Sequence, residues 1–315
     1  MNRFFVIFVS LTLLITACTQ QALVKTGDAL QVIAIESFLG DIAQQVAGDR
    51  LSIQTLIPAG TDPHAFEPSP QDIVKLTNSK AIIINGAGFE AWLDSSYQSN
   101  LQQQLIIDAS KGLTIREQNE AEHADGEEQS AGETGHLHEE GDPHFWLDPT
   151  NVIRYVENIR DGLAQIDPAG KEQYSRNAAA YIEQLKELDV WIQSEVSAIP
   201  PEKRIMITNH ESFGYFADRY GFRIIGTIIP SVTTGSSPSS QQLTDLITKM
   251  RENDAHVIFL ETGSNPQLAN QIASETGARV VEDLYTHSIT APDGNAPSYL
   301  DMMRWNTRLI VEALK

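Results

Sequence analysis

The chain of 315 residues is 41% apolar and 20% charged, with a formal net charge of −20. That length and apolar content suit two folded domains of ordinary size and exclude a disordered or fibrous chain. The acidic balance excludes nucleic acid as a partner, because a phosphate-binding surface needs clustered Lys and Arg, but it leaves cations open.

The first element in chain order is the apolar run Phe4–Ile15, which follows Arg3 and leads into Ile15-Thr16-Ala17-Cys18. It is too short to cross a bilayer as a helix and reads as a signal peptide over residues 1–17. Ile15 to Cys18 resembles a bacterial lipobox, in which cleavage precedes the cysteine and lipid is attached to it. The other reading is an ordinary secretory signal with Cys18 as a stray thiol. Since Cys18 is the only cysteine, an internal disulfide and a thiolate zinc site are both excluded. Any metal must be held by histidine and oxygen.

A lipidated tether over residues 18–29 precedes alternating strand-like and helix-like segments. Leu30–Ile35, Leu51–Ile57, Ala81–Asn85 and Leu105–Asp108 read as strands, with helices near Ser37–Ala47 and Pro70–Ser79. Such alternation predicts βα units, a mostly parallel sheet and an N-terminal α/β lobe over 30–166. Within it, 117–141 has no apolar periodicity and reads as a surface loop. Ten acidic residues and no Lys or Arg lie between Glu117 and Asp142, together with His123, His136 and His138. From Pro168 to Ile199, Tyr174, Ala178, Tyr181, Ile182, Leu185, Leu188, Ile192 and Val196 recur at three- and four-residue spacing, and Pro200-Pro201 follows. One linking helix over 167–199 is expected, long enough to be a spine. Strands at Arg204–Thr208, Arg223–Ile228, Val257–Leu260 and Arg279–Val281 then alternate with helices near Ser212–Tyr220, Ser239–Glu252, Pro266–Glu275 and Pro297–Leu314. A C-terminal α/β lobe over 200–315 is predicted, so the fold class is α/β with two lobes joined by one long spine helix.

Ligands of open parallel sheets bind beyond the carboxyl ends of the strands. His64, His210 and His287 follow predicted strands, and His144 lies in the loop region leading into the second half. A single loop histidine is ordinarily solvated or a satisfied hydrogen-bond partner. The repeated tripeptide Asp62-Pro63-His64 and Asp142-Pro143-His144 shifts the balance, since proline stiffens the turn that presents each imidazole. A nearby carboxylate is also the usual acceptor that sets a ligating histidine's tautomer. His256 opens a buried strand without such context and reads as structural.

Several longer segments carry a resemblance. Gly60-Thr-Asp-Pro-His-Ala-Phe-Glu-Pro-Ser-Pro70, Asp142-Pro-His-Phe-Trp-Leu-Asp-Pro149, Asn209-His-Glu-Ser-Phe-Gly-Tyr-Phe216 and Tyr299-Leu-Asp-Met-Met-Arg-Trp-Asn306 resemble the zinc- and manganese-binding solute-binding proteins of ABC importers, from about Leu30 to Leu314. The resemblance implies a metal buried between two lobes, with His64 and His144 as the first and second ligands. The third family position carries His in zinc-type and Glu in many manganese-type members, and here it is His210. The fourth commonly carries Asp, whereas this chain has His287 in Leu284-Tyr-Thr-His-Ser. Imidazole suits zinc, and manganese prefers oxygen donors, so the replacement points to Zn2+ rather than Mn2+. The acidic loop resembles the histidine-rich loop of zinc-type members, with fewer histidines.

The function expected is extracytoplasmic capture of zinc by a monomeric, membrane-anchored lipoprotein, and delivery to an ABC permease and its ATPase. The alternatives are a manganese-binding receptor or adhesin lipoprotein of the same family and, from another class, a zinc hydrolase with Glu211 or Glu67 as base. A closed set of four protein ligands argues for transport, because catalytic zinc keeps an open position.

Overall fold

The computed structural model describes residues 30–93, 101–117 and 141–315. The expected signal peptide and tether, with Cys18, and the loop residues His123, His136 and His138 lie outside the described residues. The first sheet contains β1 (Val32–Ala34), β2 (Ile53–Thr55), β3 (Ala81–Ile84) and β4 (Leu105–Asp108), with α1 (Ser37–Ala47) and α2 (Pro70–Asn78) in the connections. Its order is β2-β1-β3-β4 with every pair parallel. Val32 and Ala34 pack with Phe38, Ile42 and Val46 of α1, whereas Ile33 and Ile35 turn to the opposite face beside Leu76. Burial on both faces is why β1 and β3 read as apolar runs rather than as alternating ones. Ser69 and Asp72 form a capping box at the start of α2, with Pro70 at its first position.

A helix that the sequence reading does not anticipate, α3 (Pro149–Ile166), comes next. Asp148 caps it by accepting from Thr150 N, and Val152, Tyr155, Val156, Ile159 and Leu163 form its buried stripe. That stripe has helical spacing, but the charged residues between its members and the acidic stretch upstream mask it. Gly162 lets α3 settle on β4, since a Cβ there would meet Ile107 Cδ1 at 2.4 Å. After a 3-10 turn at Pro168–Gly170 runs α4 (Lys171–Val196), of 26 residues. It is shorter than the predicted span because both ends tighten into turns, and its length is roughly 39 Å. Seven of the eight apolar positions named from sequence are buried, and Ile182 is half-buried.

The second sheet repeats the first. It contains β5 (Ile205–Thr208), β6 (Arg223–Thr227), β7 (Val257–Glu261) and β8 (Arg279–Leu284), in the order β6-β5-β7-β8, again wholly parallel. Around it lie α5 (Gly214–Tyr220), α6 (Ser240–Glu252), α7 (Gln267–Thr276) and α8 (Tyr299–Leu314). One core cluster runs from Val32 and Phe38 through Leu185, Leu188 and Ile192 of α4 to Met302 and Val311 of α8. Smaller clusters line the outer face of each sheet. The lobes therefore share apolar packing along the spine, and a wide hinge opening would break a close-packed interior. Strand order reverses between β1 and β3 and between β5 and β7, which places a ligand crevice at the carboxyl end of each sheet.

Candidate metal centre

His64 lies in a 3-10 turn over Pro63–Ala65, beyond β2. Asp62 holds that turn by accepting from His64 N at 2.9 Å through Oδ1, while its Oδ2 accepts from Thr234 Oγ1 of the second lobe. His144 follows a backbone bridge in which Asp142 N donates to Arg116 O at 2.9 Å. Asp142 Oδ1 accepts from His144 N at 3.0 Å and lies 2.8 Å from His144 Nδ1. The two Asp-Pro-His motifs thus share a backbone role, but only Asp142 also orients its imidazole.

His210 comes two residues after β5, with its Nδ1 2.6 Å from Glu261 Oε1. The carboxylate attracts the imidazole electrostatically. His287 follows β8, with Nδ1 3.0 Å from Thr286 Oγ1 and 3.5 Å from Glu261 Oε2. Thr286 Oγ1 donates to Glu261 Oε2 at 2.8 Å, and Ser212 Oγ donates to Oε1 at 3.1 Å. Glu261, buried at the end of β7, therefore ties the two second-lobe histidines together. The sequence reading ends that strand at Leu260 and misses this residue. The available signal was a carboxylate at the mouth of a wholly apolar strand, where burial demands a partner.

One donor nitrogen from each of His64, His144, His210 and His287 lies within 4.8 Å of the others. His144 Nε2 stands 3.3 Å from both His210 Nε2 and His287 Nε2. His64 Nε2 is buried with no hydrogen-bond partner among the described residues. Phe89 closes one side, with its ring centroid 4.9 Å from those of His64 and Trp146. All four residues singled out from sequence are brought together across the two lobes. His256, read as structural, is exposed immediately before β7, with Nε2 2.9 Å from Asp254 Oδ1, and takes no part in the cluster. Glu67 is also exposed.

The electrostatics prepare most of these imidazoles for ligation. Burial, reinforced by the charge of His210, lowers His64 to about 4 and holds His144 well below the ordinary range. Burial and the charge of His64 do the same at His287. Burial also opposes charge on His210, but Glu261, with Asp62 and Asp142 behind it, raises that histidine instead. Asp142 is pushed up to about 7 by burial. With His144 neutral, its contact with Asp142 is a hydrogen bond rather than an ion pair. Neutral rings whose lone pairs face one another form a cation site.

Two parallel α/β lobes on a helical spine, with four imidazoles converging between them, define a two-lobed metal-binding solute-binding protein. Over residues 32–313 the chain matches the family described as zinc-uptake complex component A periplasmic (ZnuA), and it belongs to that family. It is 31% identical over 290 residues to the manganese-binding lipoprotein MntA of Halalkalibacterium halodurans, covering 92% of this chain and 90% of that one. It is 30% identical over 289 residues to the iron-binding protein YfeA of Yersinia pestis, covering 91% and 87%. The solved structure of the Mn-bound periplasmic metal binding protein from Candidatus Liberibacter asiaticus superposes with a TM-score of 0.76 at 30% identity, over 90% of this chain and 99% of that one. Membership makes the chain a non-catalytic extracytoplasmic protein that captures a divalent transition metal for ABC-mediated import. It also implies a permease and an ATPase as partners.

Proposed function

We propose that the cargo is zinc, held by His64, His144, His210 and His287, in a lipoprotein tethered through Cys18 and built of lobes 30–166 and 200–315 on either side of a linker over 167–199. The observation that carries the metal is the donor spacing. A tetrahedral zinc with bonds of about 2.05 Å has donor edges of about 3.35 Å. The two Nε2 separations at His144 are 3.3 Å. Four imidazoles and no carboxylate in the inner set also suit zinc better than manganese, which favours oxygen.

Manganese is the second reading, and the relatives favour it over zinc: MntA is named for manganese and the solved Liberibacter structure is Mn-bound. The deciding experiment is metal analysis of protein purified without chelators, followed by competitive titration of zinc against manganese. Stoichiometric zinc that manganese fails to displace at large excess is the expected result, and preferential retention of manganese selects the second reading. His287→Asp, which restores an oxygen donor, should narrow the zinc preference by at least about ten-fold in the same titration.

A further inference from the structure

Among the described residues, two cavities border the histidine cluster, one beside Thr234 and the other beside Val232 and Thr233. The larger is a cavity of about 590 Å³ between the first-lobe turn Gly60–Asp62 and the second-lobe loops that follow β6, β7 and β8. Its lining includes Asp62, Glu261 and His287, many Ser, Thr, Asn and Gln side chains, and no Lys or Arg. The smaller, of about 90 Å³, touches His64 and is walled largely by Pro63, Phe66, Phe89, Trp92 and Val232.

A divalent cation arrives with a shell of six waters, which need about 60–90 Å³ of water-accessible space at about 10–15 Å³ each. The larger space takes such an ion with several-fold room to spare, whereas the smaller leaves it no freedom to move. The linings agree with the sizes, because hydroxyls and amides can hydrogen-bond to coordinated water and carboxylates attract the charge, whereas aromatic walls do neither. Thr234, latched to Asp62 Oδ2 across the lobes, faces the larger cavity, and Val232 and Thr233 face the smaller.

We infer that the larger cavity is the route by which the hydrated cation reaches and leaves the four imidazoles, shedding water as it passes Asp62 and arrives at Glu261 and His287. This deepens the proposed function and rests on it. The metal strips to its final shell at the second-lobe end of the cluster, where His287 is the first donor within reach. His64 is met last.

The test uses the full mature chain and zinc alone, with capture followed in stopped flow through the fluorescence of Trp146, whose ring centroid is 5.2 Å from that of His144. Release is followed by chelator competition. Thr262 and Ser237 are exposed rim residues of the larger cavity, and Ala91 is exposed at the smaller. Thr262→Trp and Ser237→Trp should each slow capture and release together by about ten-fold, leaving Kd unchanged, because a narrowed path alters rates and not end states. Ala91→Trp should change neither. Ser237→Lys should slow capture relative to Ser237→Glu, with the gap closing as salt rises. Wild-type rates in both rim tryptophan variants, or slowing by Ala91→Trp alone, would overturn the route while leaving zinc binding intact. Absence of stoichiometric binding in the wild type would instead remove the proposed function. Should Thr262→Trp fail to fold, Ser237→Trp carries the comparison by itself.

Discussion

Glu261 is the residue on which the second-lobe half of the site turns. It faces His210 and, through Thr286, His287. Glu261→Gln should weaken zinc binding by about 10–100-fold while leaving stoichiometry intact, as loss of an outer-shell partner does elsewhere; an unchanged affinity in titration would show that the carboxylate is a bystander. Protons compete with the metal in an uneven way. His64, His144 and His287 are held neutral by burial, so they have few protons to lose near neutral pH. His210 is raised, with Asp142 up to about 7. A proton on a raised histidine is bound below its folded pKa, so affinity should begin to fall above pH 6.5 and decline through pH 5. The expected slope is about one to two protons per metal rather than four. Competition titrations across pH 5–8 read that slope, and a flat profile would show that His210 carries no proton for the metal to displace.

At the scale of elements, the loop after β3 shows how the first lobe builds its wall. Gly86, Ala87 and Gly88 all have positive φ, 52° at the non-glycine Ala87, a conformation that needs enforcement from outside. Glu90 supplies it, with its carboxylate accepting from Asn85 N at 2.5 Å and Gly86 N at 3.1 Å, and Phe89 is thereby set against His64. Burial and the mutual repulsion of Glu36 and Glu90 push Glu36 up, and burial takes Glu90 to about 7. A carboxyl raised on folding keeps its proton when the unfolded chain has lost it. Stability therefore falls as pH rises from the ordinary carboxylate range through the folded value. Glu36→Gln removes one of the two charges, so the variant should gain about 1–3 kcal/mol over the parent at pH 8 and nothing near pH 4. Denaturant midpoints of the apo proteins at both pH values test this.

At the scale of the molecule, two crevices face each other because α4 and α8 pack both lobes into one core. The acidic segment is attached to this frame at a defined point. Arg116 and Asp142 pair as an isolated antiparallel bridge, and Tyr215 OH donates to Asp142 O at 2.8 Å. The chain ends on either side of residues 118–140 are thus already held together, beside His144. Replacing 118–140 by a short Gly-Ser linker should preserve stoichiometric tight binding and slow capture only at scarce metal. Loss of the tight site in calorimetry would mean that the segment contributes a ligand.

Among the described residues, the eight strands and seven of the eight helices were legible in the sequence, as were the four histidines that the structure brings together, for a common reason. Strands buried on both faces, caps such as Ser69 with Asp72, and Asp-Pro-His turns are written in neighbouring residues. It carried less information about α3, whose stripe is interleaved with charge, and about His256, where proximity to a buried strand did not mean burial. Only the tertiary structure decided which carboxylate supports which imidazole, that Asp142 orients its histidine while Asp62 reaches Thr234 in the other lobe, and that Glu261 belongs to the centre. The contacts of Glu261 and of Asp62 with Thr234 join residues 25 to 172 positions apart, and Asp142 differs from Asp62 only in how it is turned toward its own histidine. Distance and angle in space set their strength, and a linear pattern contains neither.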